Sequence, residues 1–266
     1  MEFRADLHCH SICSDGSDTP QELLLKAKKA GLQGLSITDH DTVAAYSEEL
    51  FAQAFSLNID LLVGVEVSSE WKGRPVHILG YRVDHHCPDF LHFLQEVQEM
   101  RRERNLRILE KLSRLGMNID LKDIRGETVG RPHIAEALVR KGYLRTVQEA
   151  FERYLKDGAI CSAPGFRFSP DQVIEMIRKA KGKAVLAHPH LYPKDFDCNE
   201  LLSFSFDGIE CYYGTLSQYQ EAPWLVMAQK KGWIATGGSD YHGPLRNQRP
   251  LGSSWVGKEA FFQLLS

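Results

Sequence analysis

The chain contains 266 residues, 43% of them hydrophobic and 25% charged, with a formal net charge of −3. This composition is typical of a globular protein and excludes disordered, collagen-like and fibrous chains. The small negative net charge also excludes bulk electrostatic binding to DNA. No apolar run reaches the roughly 20 residues of a membrane span, and no basic and then apolar leader follows Met1. We therefore expect a cytoplasmic protein without a membrane partner.

Charge is unevenly distributed along the chain. Residues 101–156 contain 14 Lys and Arg against 8 Asp and Glu, whereas the rest of the chain is acidic. A basic segment beside an acidic body favours an anionic ligand held between carboxylates and a basic wall. Solvated helix faces would produce the same asymmetry without any ligand.

Apolar runs of strand length alternate with amphipathic stretches of helical period. The first helix has clear start and stop signals: Thr19 as N-cap, Pro20 as first helical residue, Glu22 in a capping box and Gly31 at the end. In chain order we predict a strand at 3–7, this helix, a strand at 34–38, a helix at 43–55, a strand at 60–67 with a hairpin-like partner at 75–83, and a charged helix at 88–115.

The alternation stops between residues 117 and 163, where only helical segments are predicted. It resumes with a helix capped by Ser169 and continues with strands at 184–187, 208–211 and 233–236 and a helix at 223–231. We therefore predict one β/α domain built from residues 1–116 and 164–266. Residues 117–163 are predicted to form an inserted helical, basic, substrate-binding subdomain.

Polar side chains are predicted at the carboxyl ends of the strands: His8, His10, Asp39, His40, Glu66, His77, His188, Glu210, Asp240 and His242. In a β/α barrel these ends converge on one mouth, where barrel enzymes have their active sites. An open, doubly wound sheet would spread them along an edge. The clustering therefore favours a barrel.

The histidines and carboxylates indicate a metal site. His8 and His10 are two residues apart in a strand and are expected to share a face, although an isolated pair of this kind is often two ordinary surface histidines. Imidazole with carboxylate is the ligand set of hydrolytic zinc, manganese and iron sites. Because the candidates outnumber the four ligands of one tetrahedral ion, we predict two or three divalent ions, Mn, Fe or Zn.

Six segments in order, at residues 6–11, 36–41, 64–66, 76–81, 186–189 and 238–242, resemble the PHP (polymerase and histidinol phosphatase) family of metal-dependent phosphoesterases. The resemblance implies a mixed α/β fold, a distorted (β/α)7 barrel with an inserted helical subdomain, and a trinuclear site. It assigns the first ion to His8, His10, Glu66 and Asp240, the second to Glu66, His77 and His188, and the third to Asp15, His40 and His242. Other branches of the family have a histidine in place of Asp15.

Within the family, residues 130–135 and 208–213 resemble the group that dephosphorylates 3′,5′-nucleotide bisphosphates, which includes enzymes that remove nucleotides from the 5′ end of short RNA. We predict a phosphoesterase in which a metal-bridging hydroxide attacks phosphorus, with Asp240 and His188 as catalytic residues. Arg131 offers a planar fork for a second phosphate or for the nucleotide. Together with His133 and His190, it is predicted to bind the substrate.

Two alternatives stay open at the level of sequence. A histidinol-phosphate phosphatase or another small-molecule phosphatase shares the metal motifs, although the basic insertion argues against it. A non-catalytic metal-binding accessory module, like the family's domains in DNA polymerases, is the alternative of another class. The charged run at 99–110 is interpreted as a solvated, salt-bridged helix face, and Tyr212 and Tyr213 as packing residues.

Overall fold

The computed structural model describes residues 2–124, 128–165, 167–192, 196, 198–244 and 249–266. Three strands form a parallel sheet: β1 (Ala5–Cys9), β2 (Gly34–Ile37) and β3 (Asp60–Leu61). A second sheet contains, in spatial order, β4 (Gly64–Trp71), β5 (Arg74–Tyr81), β6 (Lys183–Leu186), β7 (Gly208–Tyr213) and β8 (Ile234–Gly238). Within it β5 is antiparallel to β4 and β6, whereas β6, β7 and β8 are parallel. The protein therefore has a mixed α/β fold.

The closed (β/α)7 barrel expected from the sequence is not confirmed. Within the described ranges the two sheets approach each other through isolated bridges, between Cys9 and Tyr241 and between His40 and Glu66, rather than through a continuous ladder. The predicted location of Glu66 and His77 at strand ends is wrong, since both lie inside the antiparallel hairpin of β4 and β5. This hairpin faces the carboxyl ends of the parallel strands.

Helices pack on the sheets: α1 (Pro20–Lys29), α2 (Glu48–Ser56), α3 (Pro88–Arg114), α6 (Pro170–Lys179), α7 (Cys198–Leu201), α8 (Gln218–Lys231) and α9 (Lys258–Leu265). The predicted capping box of α1 is confirmed, because Thr19 and Glu22 each accept a hydrogen bond from the other's backbone amide. Helix α2 begins five residues later than predicted, after Ser47, whose hydroxyl accepts from the Leu50 amide. None of the helices in the described ranges has the length and apolar character needed to cross a membrane.

In the segment from 117 to 163 the regular elements that the structure describes are all helical. It contains a 3-10 turn (Leu121–Asp123), α4 (Arg131–Arg140), α5 (Val147–Ala150) and a π-helical turn (Phe151–Leu155). The apolar side chains of this segment form a cluster with those of the last turns of α3. The cluster includes Ile108 and Leu112 of α3 and Ile134, Leu138 and Leu155 of the segment. This cluster is distinct from the larger core between the sheets and α1, α2 and α6. The division into two domains stays a prediction.

Candidate metal centre and active site

The first two histidines are positioned by close contact between β1 and β8. His8 lies in β1 and His10 directly after it, and both are fully buried with ring centroids 5.3 Å apart. A Cβ added to Gly238 of β8 would lie 2.4 Å from the His8 amide nitrogen. Only glycine permits this approach. The close packing of the two backbones therefore brings residues 8 and 10 next to the loop that follows β8.

Glu66 lies at the centre of a cluster of imidazoles. Its Oε1 lies 2.9 Å from His77 Nδ1 and 2.9 Å from His188 Nε2. Its Oε2 lies 3.2 to 3.4 Å from ring nitrogens of three further histidines: His8, His10 and His40. The two oxygens thus face different sets of nitrogen donors, as in a carboxylate that bridges two ions.

Two aspartates complete the cluster. Asp240 Oδ1 lies 3.4 Å from His8 Nε2 and 3.3 Å from His10 Nε2. Asp15 Oδ1 lies 3.2 Å from His242 Nε2. Among the residues that the structure describes, three groups of side chains have ligand atoms within 4.8 Å of one another: His8, His10 and Glu66; His40, Glu66 and His77; and His10, Asp15, His40 and His242. The structure brings all nine predicted ligands together, with His10, His40 and Glu66 each shared between two groups.

The spacing of these atoms fits divalent ions. With metal–ligand bonds of about 2.1 Å, two ligands of one ion lie about 3.0–3.5 Å apart. Among the described residues, His10 Nε2, His40 Nδ1 and His77 Nδ1 are buried without a hydrogen-bond partner, although each is within 3.2 Å of a Glu66 oxygen. Buried polar atoms are rarely left unsatisfied. A cation between them would satisfy the nitrogens and the carboxylate at once.

The carboxylates of the cluster are ionised. Burial alone would raise the pKa of Glu66, but the neighbouring imidazoles of His40 and His77 hold it well below its usual range. Burial would likewise raise the pKa of Asp240, and His242 with His8 keeps it well below its usual range. Cation ligands must be deprotonated. Both side chains are therefore in the form that binds a metal.

Glu210 supports two of the histidines; it was predicted at a strand end but was given no role as a ligand, catalytic or substrate-binding residue. It lies in β7, where its Oε1 is 2.9 Å from His8 Nδ1 and its Oε2 accepts a hydrogen bond of 2.7 Å from the His188 amide. A carboxylate on the second ring nitrogen fixes the orientation of a metal-binding imidazole. The sequence signal for this role was its polar side chain in an otherwise apolar strand.

Asp240 is held on its other oxygen. Tyr213 donates a hydrogen bond of 2.6 Å to Asp240 Oδ2, and Arg249 Nη2 lies 3.4 Å from the same atom. The Arg249 guanidinium also lies 4.5 Å from the centroid of the Tyr213 ring. Tyr213 is thus more than a packing residue, and Arg249 is a site residue that the sequence analysis missed.

The predicted substrate-binding residues lie in three different settings. Arg131 donates a hydrogen bond of 2.6 Å to Asp157 Oδ1, and it lines a cavity of about 230 Å³ together with Arg104. His133 is buried, and its Nδ1 accepts a hydrogen bond from the Gly130 amide at the start of α4. The His190 ring lies 4.2 Å from that of Tyr213, and burial lowers the pKa of His190 to about 4. Its ring is therefore neutral at neutral pH.

The prediction of a solvated face on α3 is wrong for Arg101 and Arg104, which are 5% and 6% exposed. Arg101 donates to the Asp41 carboxylate at 2.5 and 2.9 Å and to the Ser68 hydroxyl at 2.7 Å. Because Asp41 follows His40 in the chain, this ion pair ties α3 to the loop that carries a candidate ligand. The pair of Arg107 with Glu103 is exposed, as predicted, and so is the pair of Arg114 with Glu110 in the last turn of the helix.

Comparison with known proteins adds independent information. The PHP domain family model matches residues 6–165. A 5′-3′ exoribonuclease of Haemophilus influenzae is 33% identical over 255 residues, which cover 92% of each chain. A 3′,5′-nucleoside bisphosphate phosphatase of Chromobacterium violaceum is 31% identical over 268 residues, 93% of this chain and 90% of the relative. A solved structure described as a metal-dependent phosphoesterase from Bifidobacterium adolescentis superposes with a TM-score of 0.86 at 29% identity, covering 98% of this chain and 95% of that one.

Proposed function

Because the chain belongs to the PHP family, we propose that it is a metal-dependent phosphoesterase that hydrolyses phosphate esters of nucleotides. Its substrates would be 3′,5′-nucleotide bisphosphates, converted to 5′-monophosphates, and short RNA from which nucleotides are removed at the 5′ end. The observation that carries this proposal is the Glu66 carboxylate with imidazoles on both of its oxygens. The relatives named for these two activities support the choice of nucleotides as substrates.

Two or three divalent ions, Mn, Fe or Zn, would be held by the nine clustered side chains: His8, His10, Asp15, His40, Glu66, His77, His188, Asp240 and His242. Such ions, when bound, supply a Lewis acid for the phosphate oxygens and lower the pKa of coordinated water. Glu66 would bridge two ions, since its two oxygens face different imidazoles. Glu210 would fix the His8 ring in the orientation that binding requires.

Asp240 and His188 are proposed as the residues that manage protons during hydrolysis. Asp240 has one oxygen toward His8 and His10 and the other held by Tyr213, so its carboxylate is fixed in one orientation. His188 lies on the opposite side of Glu66, and its backbone amide is held by Glu210. Both side chains therefore border the place that a phosphate would occupy.

Arg131 is proposed to recognise the second phosphate of a bisphosphate. It faces the cavity of about 230 Å³ together with Arg104. Burial, and after it the like charges of Arg101 and Arg131, lower the pKa of Arg104 well below its usual range. An anion in the cavity would relieve this repulsion and engage the planar guanidinium fork. His133 would position Arg131 by capping α4, and His190 would contact the substrate beside Tyr213.

Two finer features of the fold belong to the same proposal. We propose that the two sheets, joined at the bridges of Cys9 and His40, are parts of one distorted seven-stranded barrel. Residues 117–163 would be the inserted helical, basic, substrate-binding subdomain, which supplies a wall opposite the metals. A cytoplasmic location, and nucleotides or short RNA as the only partners, remain predictions.

Phosphate release in the presence of Mn²⁺ tests the proposed function. The substrates are adenosine 3′,5′-bisphosphate, adenosine 3′-monophosphate, histidinol phosphate and a 5′-phosphorylated RNA pentamer that is also analysed for released mononucleotide. We expect turnover of the bisphosphate and of the pentamer, with a lower kcat/KM for the 3′-monophosphate. In the Arg131→Ala variant KM for the bisphosphate should rise about tenfold, because a charge-assisted contact to phosphate is lost. KM for the monophosphate should change by less than about twofold.

Each other outcome favours a different function. Turnover of histidinol phosphate alone would indicate a small-molecule phosphatase. Absence of turnover on every substrate, with metals bound, would indicate the non-catalytic accessory module. An equal effect of Arg131→Ala on the bisphosphate and the monophosphate would contradict the role given to this arginine.

A further inference from the structure

A groove runs along one side of α3, outside the metal cluster. It consists of two adjoining cavities of about 510 and 350 Å³, both lined by Gln95 and Gln98. One end is formed by the loop after β2 and by the histidines that precede α3: Thr42, Val43, Ala44, Tyr46, His85 and His86. The other end is formed by the inserted segment: Leu121, Ile124, Thr128 and Val129. None of the described residues that line it takes part in the proposed metal site.

Both walls of the groove contact segments that lie next to the metal cluster. Gln98 Nε2 donates a hydrogen bond of 2.7 Å to the carbonyl of Asp41, the residue after His40. On the opposite wall, Asn105 Nδ2 donates a hydrogen bond of 2.8 Å to the carbonyl of Val129. A Cβ on the following residue, Gly130, would lie 3.9 Å from Asp15 Oδ2. The groove therefore passes directly beside the group that contains Asp15 and His40.

The chemistry of the lining suits a single strand of nucleic acid. Gln95 and Gln98 offer neutral amide donors. Arg102 is exposed and makes no ion pair with a described residue. Glu99 is the one acidic side chain in the described lining. Such donors bind phosphate and ribose oxygens. The His85 and His86 rings lie 4.0 Å apart at one end. Aromatic and apolar surfaces of this kind stack with bases without sequence preference.

The length of the groove fits a short oligonucleotide. From Leu91 to Asn105 the groove follows α3 for 14 residue steps, which is about 21 Å at a rise of 1.5 Å per residue. A stacked strand has one phosphate per about 3.4 Å of its axis, so the groove holds about six nucleotides at most. The cavity of Arg131 shares no described lining residue with the groove. The terminal phosphate of an RNA and the nucleotides that continue its strand would thus have separate binding sites.

We propose that the α3 groove binds the nucleotides that follow the scissile phosphate of an oligoribonucleotide substrate. The inference rests on the proposed function, because it places the part of the RNA that retains the scissile phosphate relative to the Glu66 cluster. Arg102 contributes positive charge to this strand, and the neighbouring amides bind its backbone. A nucleotide bisphosphate has no such continuation and leaves the groove empty.

The test compares two charge reversals on α3, Arg102→Glu in the groove and Arg114→Glu on the exposed face at the end of the helix. For each variant kcat/KM is measured with Mn²⁺ for the 5′-phosphorylated RNA pentamer and for adenosine 3′,5′-bisphosphate, at several salt concentrations. We expect Arg102→Glu to lower the pentamer value about tenfold and to reduce the slope of its salt dependence by about one. The bisphosphate value should stay within about twofold, as should both values for Arg114→Glu.

Equal effects of the two variants on the pentamer, or an equal loss on both substrates in Arg102→Glu, would overturn the inference. Binding of the labelled pentamer, followed by fluorescence anisotropy, separates this inference from the proposed function. Turnover of the bisphosphate without binding or cleavage of the pentamer overturns the groove and leaves the phosphatase. Pentamer binding that only Arg102→Glu weakens, without turnover of any substrate, supports the groove and overturns the proposed function.

Discussion

Replacing Glu66 by Gln is expected to lower kcat/KM for a nucleotide bisphosphate by about 10³-fold or more. The amide keeps the size of the side chain but removes the negative charge that faces five imidazoles. It also presents an NH₂ group to ring nitrogens that would share a cation. Both metal content and catalysis should therefore fall together. The measurements are steady-state phosphate release and the metal-to-protein ratio by mass spectrometry.

Glu110→Gln is the matched control, since Glu110 is an exposed residue on α3 that pairs with Arg114. It should retain full activity and full metal content. Circular dichroism of Glu66→Gln should show a folded protein, because the side chain is replaced by one of equal volume. A Glu66→Gln variant with unchanged activity would rule out a bridging role for this carboxylate.

Replacing Arg101 by Ala is expected to destabilise the fold by about 3–5 kcal/mol. The ion pair with Asp41 is almost fully buried, and the substitution leaves the Asp41 carboxylate without its guanidinium partner. For a chain of this size we expect Tm to fall by roughly 6–20 °C. The checks are thermal melting and denaturant titration of the purified variant.

Two comparisons make this prediction specific. Arg114→Ala removes an arginine from the same helix whose ion pair is exposed, and should cost less than about 1 kcal/mol. The double variant Arg101→Met with Asp41→Asn should recover part of the loss, since it leaves no buried charge. Asn also tolerates the φ of 55° at position 41. Equal stability of Arg101→Ala and Arg114→Ala would show that the buried pair contributes nothing.

The features encoded by neighbouring residues were predictable from sequence. The capping box of Thr19 and Glu22 and the long helix from Pro88 have local signals, in a cap and in a period of 3.6 residues. The metal-binding character of the cluster was equally accessible. Imidazole and carboxylate side chains recurred after successive apolar runs, and the six ordered segments resembled a single family.

The hairpin-like pairing of the strands at 60–67 and 75–83 was predicted and is confirmed by the antiparallel register of β4 and β5, but the position of the ligands within these strands was not predictable in the same way. Glu66 and His77 were expected at the ends of strands, as in a parallel barrel, but both lie inside an antiparallel hairpin. An apolar run indicates a strand and does not indicate its direction, because the pairing partner is chosen by tertiary packing. The two residues between β4 and β5, Lys72 and Gly73, both have positive φ in the structure, as the tight turn of a β-hairpin requires.

Contacts between distant residues were the other limit. Arg101 was interpreted as part of a solvated face because it lies in a run of mixed charge that includes Glu99 and Glu103. Its actual partner, Asp41, is 60 residues distant in sequence. The contact of Tyr213 with Asp240 and the support of His8 by Glu210 depend in the same way on how strands meet. A single sequence contains no signal for such pairs beyond the residue types.

The central claim is that the Glu66 cluster holds divalent ions on which hydrolysis of nucleotide phosphate esters depends. The most direct measurement is phosphate release from adenosine 3′,5′-bisphosphate by one preparation, before metal removal with a chelator, after removal, and after addition of Mn²⁺, with metal content determined each time. We predict at least about two ions per chain in the active samples, loss of activity by about 10²-fold or more without them, and recovery with Mn²⁺. Unchanged phosphate release from the metal-free protein would contradict the account.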